Sequence, residues 1–132
     1  MRIKLFLKID SAEASRQFYE DELAMFRLHG EIWEGTCALR MVGNEDIRLH
    51  LAPYYDAPPQ PRQPAFSIGV KNCDKEFARL RATSFASGGR LMPQKGGVFE
   101  VFEYPGGKNF MMEDPSGNRL LIAEDYTELE DE

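Results

Sequence analysis

The sequence has 132 residues, 42% of them hydrophobic, which is enough for one compact domain with an apolar core. No apolar run approaches the ~20 residues that a membrane-spanning helix needs. The formal net charge of −6 is concentrated at the end, where "EDYTELEDE" holds six of the 22 acidic residues and none of the 16 basic ones. The remainder is formally neutral, and without a basic excess it lacks the charge pattern of nucleic-acid-binding proteins.

The first ten residues and the cysteines indicate the compartment. "MRIKLFLKID" alternates charged with apolar residues and does not form the continuous apolar core of a signal peptide. Cys37 and Cys73 are too few for a disulfide framework, and they do not form a Cys-x-x-Cys pair. We therefore expect a cytoplasmic protein with two reduced thiols.

The first half of the chain is predicted to contain one strand, one helix and three further strands. Apolar and other residues alternate over 3–9, which is typical of a half-buried strand. Ser11 is a suitable N-cap for a helix over 12–23, in which Phe18 and Tyr19 share the side that faces the core. Turn residues then separate three candidate strands, at 26–33, 36–42 and 46–52.

A proline-rich segment divides the chain near its midpoint. Residues 53–64 contain five of the eight prolines. Proline cannot donate the backbone hydrogen bond that a central strand requires, so we predict a linker here.

The second half repeats the order of the first. Residues 66–70 alternate as a strand, and Asn72 or Asp74 can cap a helix over 74–87, with Phe77 on its inward side. Glycine and proline then punctuate three more candidate strands, at 98–104, 109–113 and 119–124.

The resulting order, β-α-β-β-β twice, predicts an α+β fold. Each unit leaves one face of an open sheet uncovered, so two units can pair and enclose a cleft. We predict two βαβββ modules that form a curved mixed sheet around such a cleft. The chain is then a single domain, with module 1 at about 1–52, the linker at 53–64, module 2 at about 65–124 and an acidic tail at 125–132.

Two stretches resemble a known family. "IDSAEASRQFYEDELAMF" is similar to the strand-to-helix entry of the vicinal oxygen chelate superfamily, and "GKNFMMEDPSGNRLLIAE" is similar to its aromatic strand, DPxGN turn and final strand. The superfamily includes glyoxalase, extradiol dioxygenases and bleomycin resistance proteins, and the pattern here is most similar to bleomycin-resistance-like members. One departure is Ala24, where the family usually has glycine. The resemblance implies the glyoxalase/bleomycin-resistance-type fold.

The resemblance also places four metal-ligand positions on this sequence. They fall at Lys4, near His50, near Ala65 and at Leu121. Lys4 is a cation at neutral pH, and Ala65 and Leu121 have no donor atom, so three of the four cannot hold a metal. We therefore expect no metal site and no cofactor.

Strand alternation predicts which side chains face the cleft. The expected ligand-binding residues are Lys4, Phe6, Arg48, His50, Ser67 and Leu121, with Lys8 and Arg119 on the same faces and Trp33 as further aromatic surface. Such a cleft suits a small, partly apolar molecule with an anionic group. In the alternative interpretation the basic residues lie at strand ends in solvent and Trp33 packs in the core, in a hairpin or at a dimer contact.

His50 is the candidate catalytic residue, although a hydrogen-bonded or half-exposed structural histidine is the simpler interpretation of its place in the strand. Three functions follow. The first is a metal-free small-molecule binding protein of the bleomycin-resistance type, which connects it with antibiotic resistance. The second is a metal-dependent or His50-based lyase or isomerase resembling glyoxalase. The third is a partner-binding dimer with a vestigial cleft. Family members of this length commonly form homodimers, which is also the expectation here.

Overall fold

The computed structural model describes residues 1–55 and 63–127. Most of the predicted linker, 56–62, and the last five residues of the predicted acidic tail, 128–132, lie outside the described residues. None of the helices in the described ranges is long and apolar enough to cross a membrane.

The first sheet contains four strands in the order β1-β4-β3-β2. β1 runs parallel to β4, and the other pairs are antiparallel. A turn with Gly43 at φ +87° joins β3 to β4, a backbone conformation that glycine adopts without steric cost. The strands are β1 (Ile3–Lys8), β2 (Phe26–Gly30), β3 (Cys37–Met41) and β4 (Asn44–Ala52).

The first helix differs from the predicted continuous α-helix. It begins as α1 (Ala12–Arg16), where the Ser11 hydroxyl accepts the Ala14 backbone N–H at 3.1 Å, and continues as a π-helix over Gln17–Glu22. The Leu23 N–H donates to the Phe18 carbonyl, five residues earlier, at 2.7 Å. Phe18, Tyr19, Glu22 and Leu23 are all buried along this segment. Periodicity alone cannot predict the π-helix, because the inward residues also fit an α-helix.

The second sheet has the same plan with one strand more than predicted. Its order is β5-β9-β8-β6, with β7 also paired to β8, and β5 runs parallel to β9 as β1 does to β4. The unpredicted strand β6 has only two residues, too few for a periodic signal. The strands are β5 (Phe66–Gly69), β6 (Arg90–Leu91), β7 (Phe102–Tyr104), β8 (Gly107–Glu113) and β9 (Arg119–Asp125).

The second helix, α2 (Cys73–Arg81), is shorter than predicted. The Asn72 side chain caps its start by accepting the Lys75 N–H at 3.0 Å. Beyond the helix, the Ser87 backbone N–H donates to the buried carboxylate of Glu22 at 3.1 Å. The segment therefore crosses to the first helix, a tertiary contact that a local pattern does not reveal.

One apolar core joins the two halves. It contains residues from both sheets and both helices, including Phe18, Leu49, Leu80 and Leu120, all 0% exposed. Hydrogen bonds also cross between the halves, for example from the Asn118 side chain to the Lys8 carbonyl at 2.8 Å. The faces of the sheets that turn away from the helices stay outside this core, and we call them the open faces.

Candidate functional site

The predicted inward and outward residues of the strands lie on the faces that alternation assigned to them. Leu7 and Leu49 are buried under the helices, whereas Lys4 and Phe6 are exposed on the open face of the first sheet. Ser67 is likewise exposed on the open face of the second sheet.

A row of basic residues crosses the open face of the first sheet. Lys4 lies opposite Arg48, which has Arg40 on its other side. Arg40 in turn lies opposite Arg27. Like charges in directly opposed positions destabilise a sheet. The alternation predicted two members of this row, but only the strand register shows that the four residues are neighbours.

The basic row is poorly neutralised by the protein. Arg27 turns away and donates to the Glu20 carbonyl at 3.0 Å. Arg40 lies 3.8 Å from the exposed Glu45 carboxylate. Lys4 has neither a hydrogen bond nor an ion pair with any described residue. The row therefore keeps most of its positive charge.

Arg48 is the buried member of this row. Only 8% of this residue is exposed. The Nε donates to the Glu45 carbonyl at 2.7 Å, and within the described chain the two terminal nitrogens have no acceptor. This guanidinium can thus offer its fork to another molecule.

Lys4 and Arg48 of the basic row border a cavity of about 330 Å³ on this face. We call it the cationic cavity; its charged and titratable lining residues are Arg2, Lys4, His29, Arg48, His50 and Glu31. The sequence analysis selected Lys4, Arg48 and His50 but not Arg2 or His29. Alternation in "FRLHG" would have indicated His29, because Phe26 and Leu28 point to the core.

The pKa values of both histidines of the cavity are lowered, which favours their neutral forms. The pKa of His50 is lowered, first by burial and then by the charges of Lys4 and Arg48. The pKa of His29 is lowered by partial loss of hydration and by Arg48 and Arg40. Near neutral pH, both rings are therefore mainly uncharged and can accept protons when negative charge approaches.

Aromatic rings adjoin the cavity. The Phe6 ring lies 5.2 Å from that of His50 and 5.4 Å from that of Tyr55, the second pair in a T-shaped arrangement. We call these three residues the aromatic strip. Because Phe6 is 55% exposed, one face of the strip is free to contact a ligand.

The second open face has different chemistry. A cavity of about 140 Å³ there, which we call the apolar cavity, is bordered mainly by apolar side chains such as Met92, Met111, Leu121 and Phe102. Gln94, Glu100 and Asn109 are its polar lining, and it shares no lining residue with the cationic cavity. Trp33 lines neither; it is 71% exposed in the loop before β3. The predicted ligand residues of the two modules thus lie on two separate faces of one chain.

The four positions at which the resemblance placed metal ligands do not form one site within this chain. Lys4 and His50 border the cationic cavity, whereas Leu121 borders the apolar cavity and Ala65 borders neither of the two. Throughout residues 1–55 and 63–127, no group of three His, Cys, Asp or Glu side chains is placed to hold a metal ion.

Known structures share this architecture. An antibiotic-binding protein, TnmS3, from Streptomyces sp. CB03234 superposes with a TM-score of 0.70 at 18% identity, covering 95% of each chain. A glyoxalase/bleomycin resistance protein/dioxygenase superfamily member from Sphaerobacter thermophilus DSM 20745 gives 0.67 at 15% identity, covering 95% of this chain and 97% of the other. The chain has the glyoxalase/bleomycin-resistance fold.

A further protein with the glyoxalase/bleomycin-resistance fold is the bleomycin-binding protein of Streptomyces verticillus, determined with copper(II)-bleomycin. Its TM-score is 0.60 at 23% identity, covering 92% of this chain and 93% of the other. The sequence matches no family model, and no curated protein matches it. The structural comparison thus confirms the predicted fold, including its two sheets.

Proposed function

We propose that the protein is a metal-free binding protein for small, partly apolar molecules. The observation that carries this proposal is the cationic cavity with the aromatic strip beside it, on the face opposite the helices. Ligand pockets combine apolar walls with a few convergent polar groups in this way. The antibiotic-binding and bleomycin-binding proteins of the same fold support a binding role.

The resemblance places metal ligands at four positions, at three of which this chain lacks a suitable donor atom. This supports the part of the proposal that says the protein binds its ligand without a metal. Lys4 and Leu121 cannot replace a carboxylate or imidazole ligand. Metal analysis of protein purified without chelators should give well below one equivalent of Zn²⁺, Ni²⁺, Mn²⁺ or Fe²⁺. A stoichiometric ion would contradict the proposal.

We also propose that the complete cleft is formed in a homodimer. The cationic cavity and the apolar cavity around Leu121 share no lining residue within one chain. An arrangement that places the first open face of one copy against the second open face of another would give one ligand polar and apolar walls. Sedimentation velocity should show a dimer; a monomer at all concentrations would contradict this part.

Calorimetric titration with a panel of neutral, anionic and cationic naphthalenes tests the binding role. At least one should bind and be recovered unchanged. Phe6→Ala should weaken that binding by about tenfold, because the exposed ring contributes apolar contact but little to the core. Phe99→Ala, which removes a ring at the second sheet, is the matched control and should not change affinity. If nothing binds, or if both variants behave alike, the proposal is wrong.

An acid–base role for His50 is the second candidate function. Its lowered pKa leaves a neutral imidazole in the cavity, the form that can accept a proton from a substrate. Chemical conversion of a bound molecule that is lost in His50→Gln would favour this lyase or isomerase function over simple binding.

A further inference from the structure

The cationic cavity carries more positive charge than the protein neutralises. Arg2, Lys4 and Arg48 border it, and Glu31 is the carboxylate that borders it within the described residues. Lys4 and Arg48 lie side by side on adjacent strands, so their like charges repel each other. An anion bound between them would relieve this repulsion.

Arg48 supplies the geometry for such an anion. The Nε–H bond to the Glu45 carbonyl fixes the orientation of its guanidinium, and the terminal nitrogens have no acceptor in the described chain. Arg48 is 8% exposed as a residue, and a guanidinium that one hydrogen bond already orients loses less entropy when its terminal nitrogens bind an oxyanion.

We propose that the ligand carries an oxyanion of the carboxylate, sulfonate or phosphate type, which seats between Lys4, Arg48 and His50. Its apolar part then packs on Phe6. This inference rests on the proposed function and names the class of molecule that the site selects.

Anion binding should also take up protons. His50 faces Lys4 and Phe6 on β1, Arg48 on its own strand and His29 on β2. His29 in turn faces Arg48, Arg40 and Arg2, with Glu45 as the opposing carboxylate. Because nearly all these charges are positive, both histidines are neutral near pH 7. A bound anion would raise the pKa values of both rings and so favour their protonated forms. Affinity should therefore rise as the pH falls through the histidine pKa values, and then level off.

Two naphthalenes of nearly the same shape test the charge requirement. We expect 2-naphthalenesulfonate to bind at least about tenfold more tightly than the neutral 2-naphthalenesulfonamide in calorimetric titration, because only the sulfonate can pair with the cations. Equal affinities, with sulfonamide binding that depends on Phe6, would overturn the anion preference alone. If neither the sulfonate nor the sulfonamide binds, and the cationic naphthalene of the panel does not bind either, the proposed binding function is overturned as well.

Lys4→Met and Lys8→Met locate the anion. Both lysines are exposed on the open face of β1, but only Lys4 borders the cavity. Lys4→Met should reduce sulfonate affinity about five- to tenfold and leave sulfonamide affinity unchanged. The matched control, Lys8→Met, should change neither. The same loss in both variants would indicate general electrostatic attraction and overturn the assigned seat.

His50→Gln tests the proton uptake. Sulfonate stays ionised across the range, so any change in its affinity between about pH 8 and about pH 5.5 reports groups of the protein. We expect tighter binding at the lower pH, and a smaller pH dependence in His50→Gln. A pH-independent affinity in the unaltered protein would overturn this coupling.

Discussion

Ala24 stands where the resemblance to the vicinal oxygen chelate superfamily led us to expect glycine, and its backbone conformation is one that glycine favours. It has φ +59°, the left-handed region, and follows the π-helix where the Met25 N–H donates to the Tyr19 carbonyl. Helices commonly end on such a residue, usually glycine, because a Cβ costs about 1–2 kcal/mol there.

Ala24→Gly should therefore stabilise the protein. We expect a gain of about 0.5–1 kcal/mol in the free energy of unfolding, the relief of strain less the entropy cost of glycine. Ala14→Gly, the same change inside α1, is the control and should cost about 1 kcal/mol. Urea unfolding measures both, and a destabilised Ala24→Gly would show that Ala24 is not strained.

Tyr19 and Asp114 form a buried polar contact between the two halves. The Tyr19 hydroxyl donates to the Asp114 carboxylate at 2.8 Å, and that carboxylate also accepts the Ser116 and Asn118 N–H groups at 2.9 Å each. Burial nevertheless raises the pKa of Asp114 above its ordinary value of 3.8, outweighing the hydrogen bonds, which lower it. The DPxGN turn is thus a structural connection to the first helix.

Tyr19→Phe should cost about 1–3 kcal/mol, because the ionised carboxylate loses a buried donor while the ring contacts remain. Because the pKa of Asp114 is higher in the folded protein than in the unfolded chain, Asp114 stabilises the fold at pH values below its unfolded pKa. This contribution is lost as the pH rises through its folded pKa. Removing the donor raises that pKa further. The cost of Tyr19→Phe should hence be larger near pH 7 than below about pH 4.

Urea unfolding at both pH values tests this expectation. Tyr104→Phe is the control, since the Tyr104 hydroxyl has no hydrogen-bond partner in the described ranges and the residue is exposed. If Tyr19→Phe lowers the free energy of unfolding equally at both pH values, the protonation state of Asp114 does not affect its contact with Tyr19.

The two helices are connected by Arg79 of α2. Its guanidinium donates to the carbonyls of Glu22 and Leu23, at 3.1 and 2.8 Å, and pairs with Glu76. These carbonyls belong to the end of the π-helix, where no later turn can satisfy them. Sequence patterns predicted both helices but not this contact, because it depends on how they meet.

Arg79→Lys should lower the free energy of unfolding by about 1 kcal/mol, since an ammonium cannot span both carbonyls as the planar fork does. Arg81→Lys is the control two residues later; it retains the cation over the Phe99 ring and should change stability little. Thermal or urea unfolding of the two variants checks the difference, and equal effects would exclude the proposed helix contact as a stabilising one.

The single core predicts that the two halves unfold together. Cys37 lies in β3 and Cys73 begins α2, so each half carries one buried thiol. Burial raises the pKa of both thiols to about 11, so neither is an activated nucleophile at neutral pH.

Thiol labelling followed by peptide mass spectrometry should thus give the same free energy of opening for Cys37 and Cys73, equal to that of global unfolding. Asn118→Ala, which removes the contact with the Lys8 carbonyl, should lower both values equally. Labelling of one thiol well before the other would show that the halves unfold independently.

Apart from β6 and the π-helical turn, the order of strands and helices, the repeat and the core-facing positions were available from the sequence. Each depends on local periodicity, caps and turn residues, which act over a few neighbouring positions. The residue types at three of the positions that the resemblance singled out were equally visible, because Lys4, Ala65 and Leu121 can be read directly.

The basic row, the burial of Arg48 and the division of the predicted cleft into two faces needed the tertiary structure. Register places Lys4, Arg48 and Arg40 side by side on three strands, and residues after β2 line the same cavity as Arg48. Hydrogen bonds between strands and packing between halves set these relations. Such interactions join residues that no local pattern connects, and they give the open face its charge.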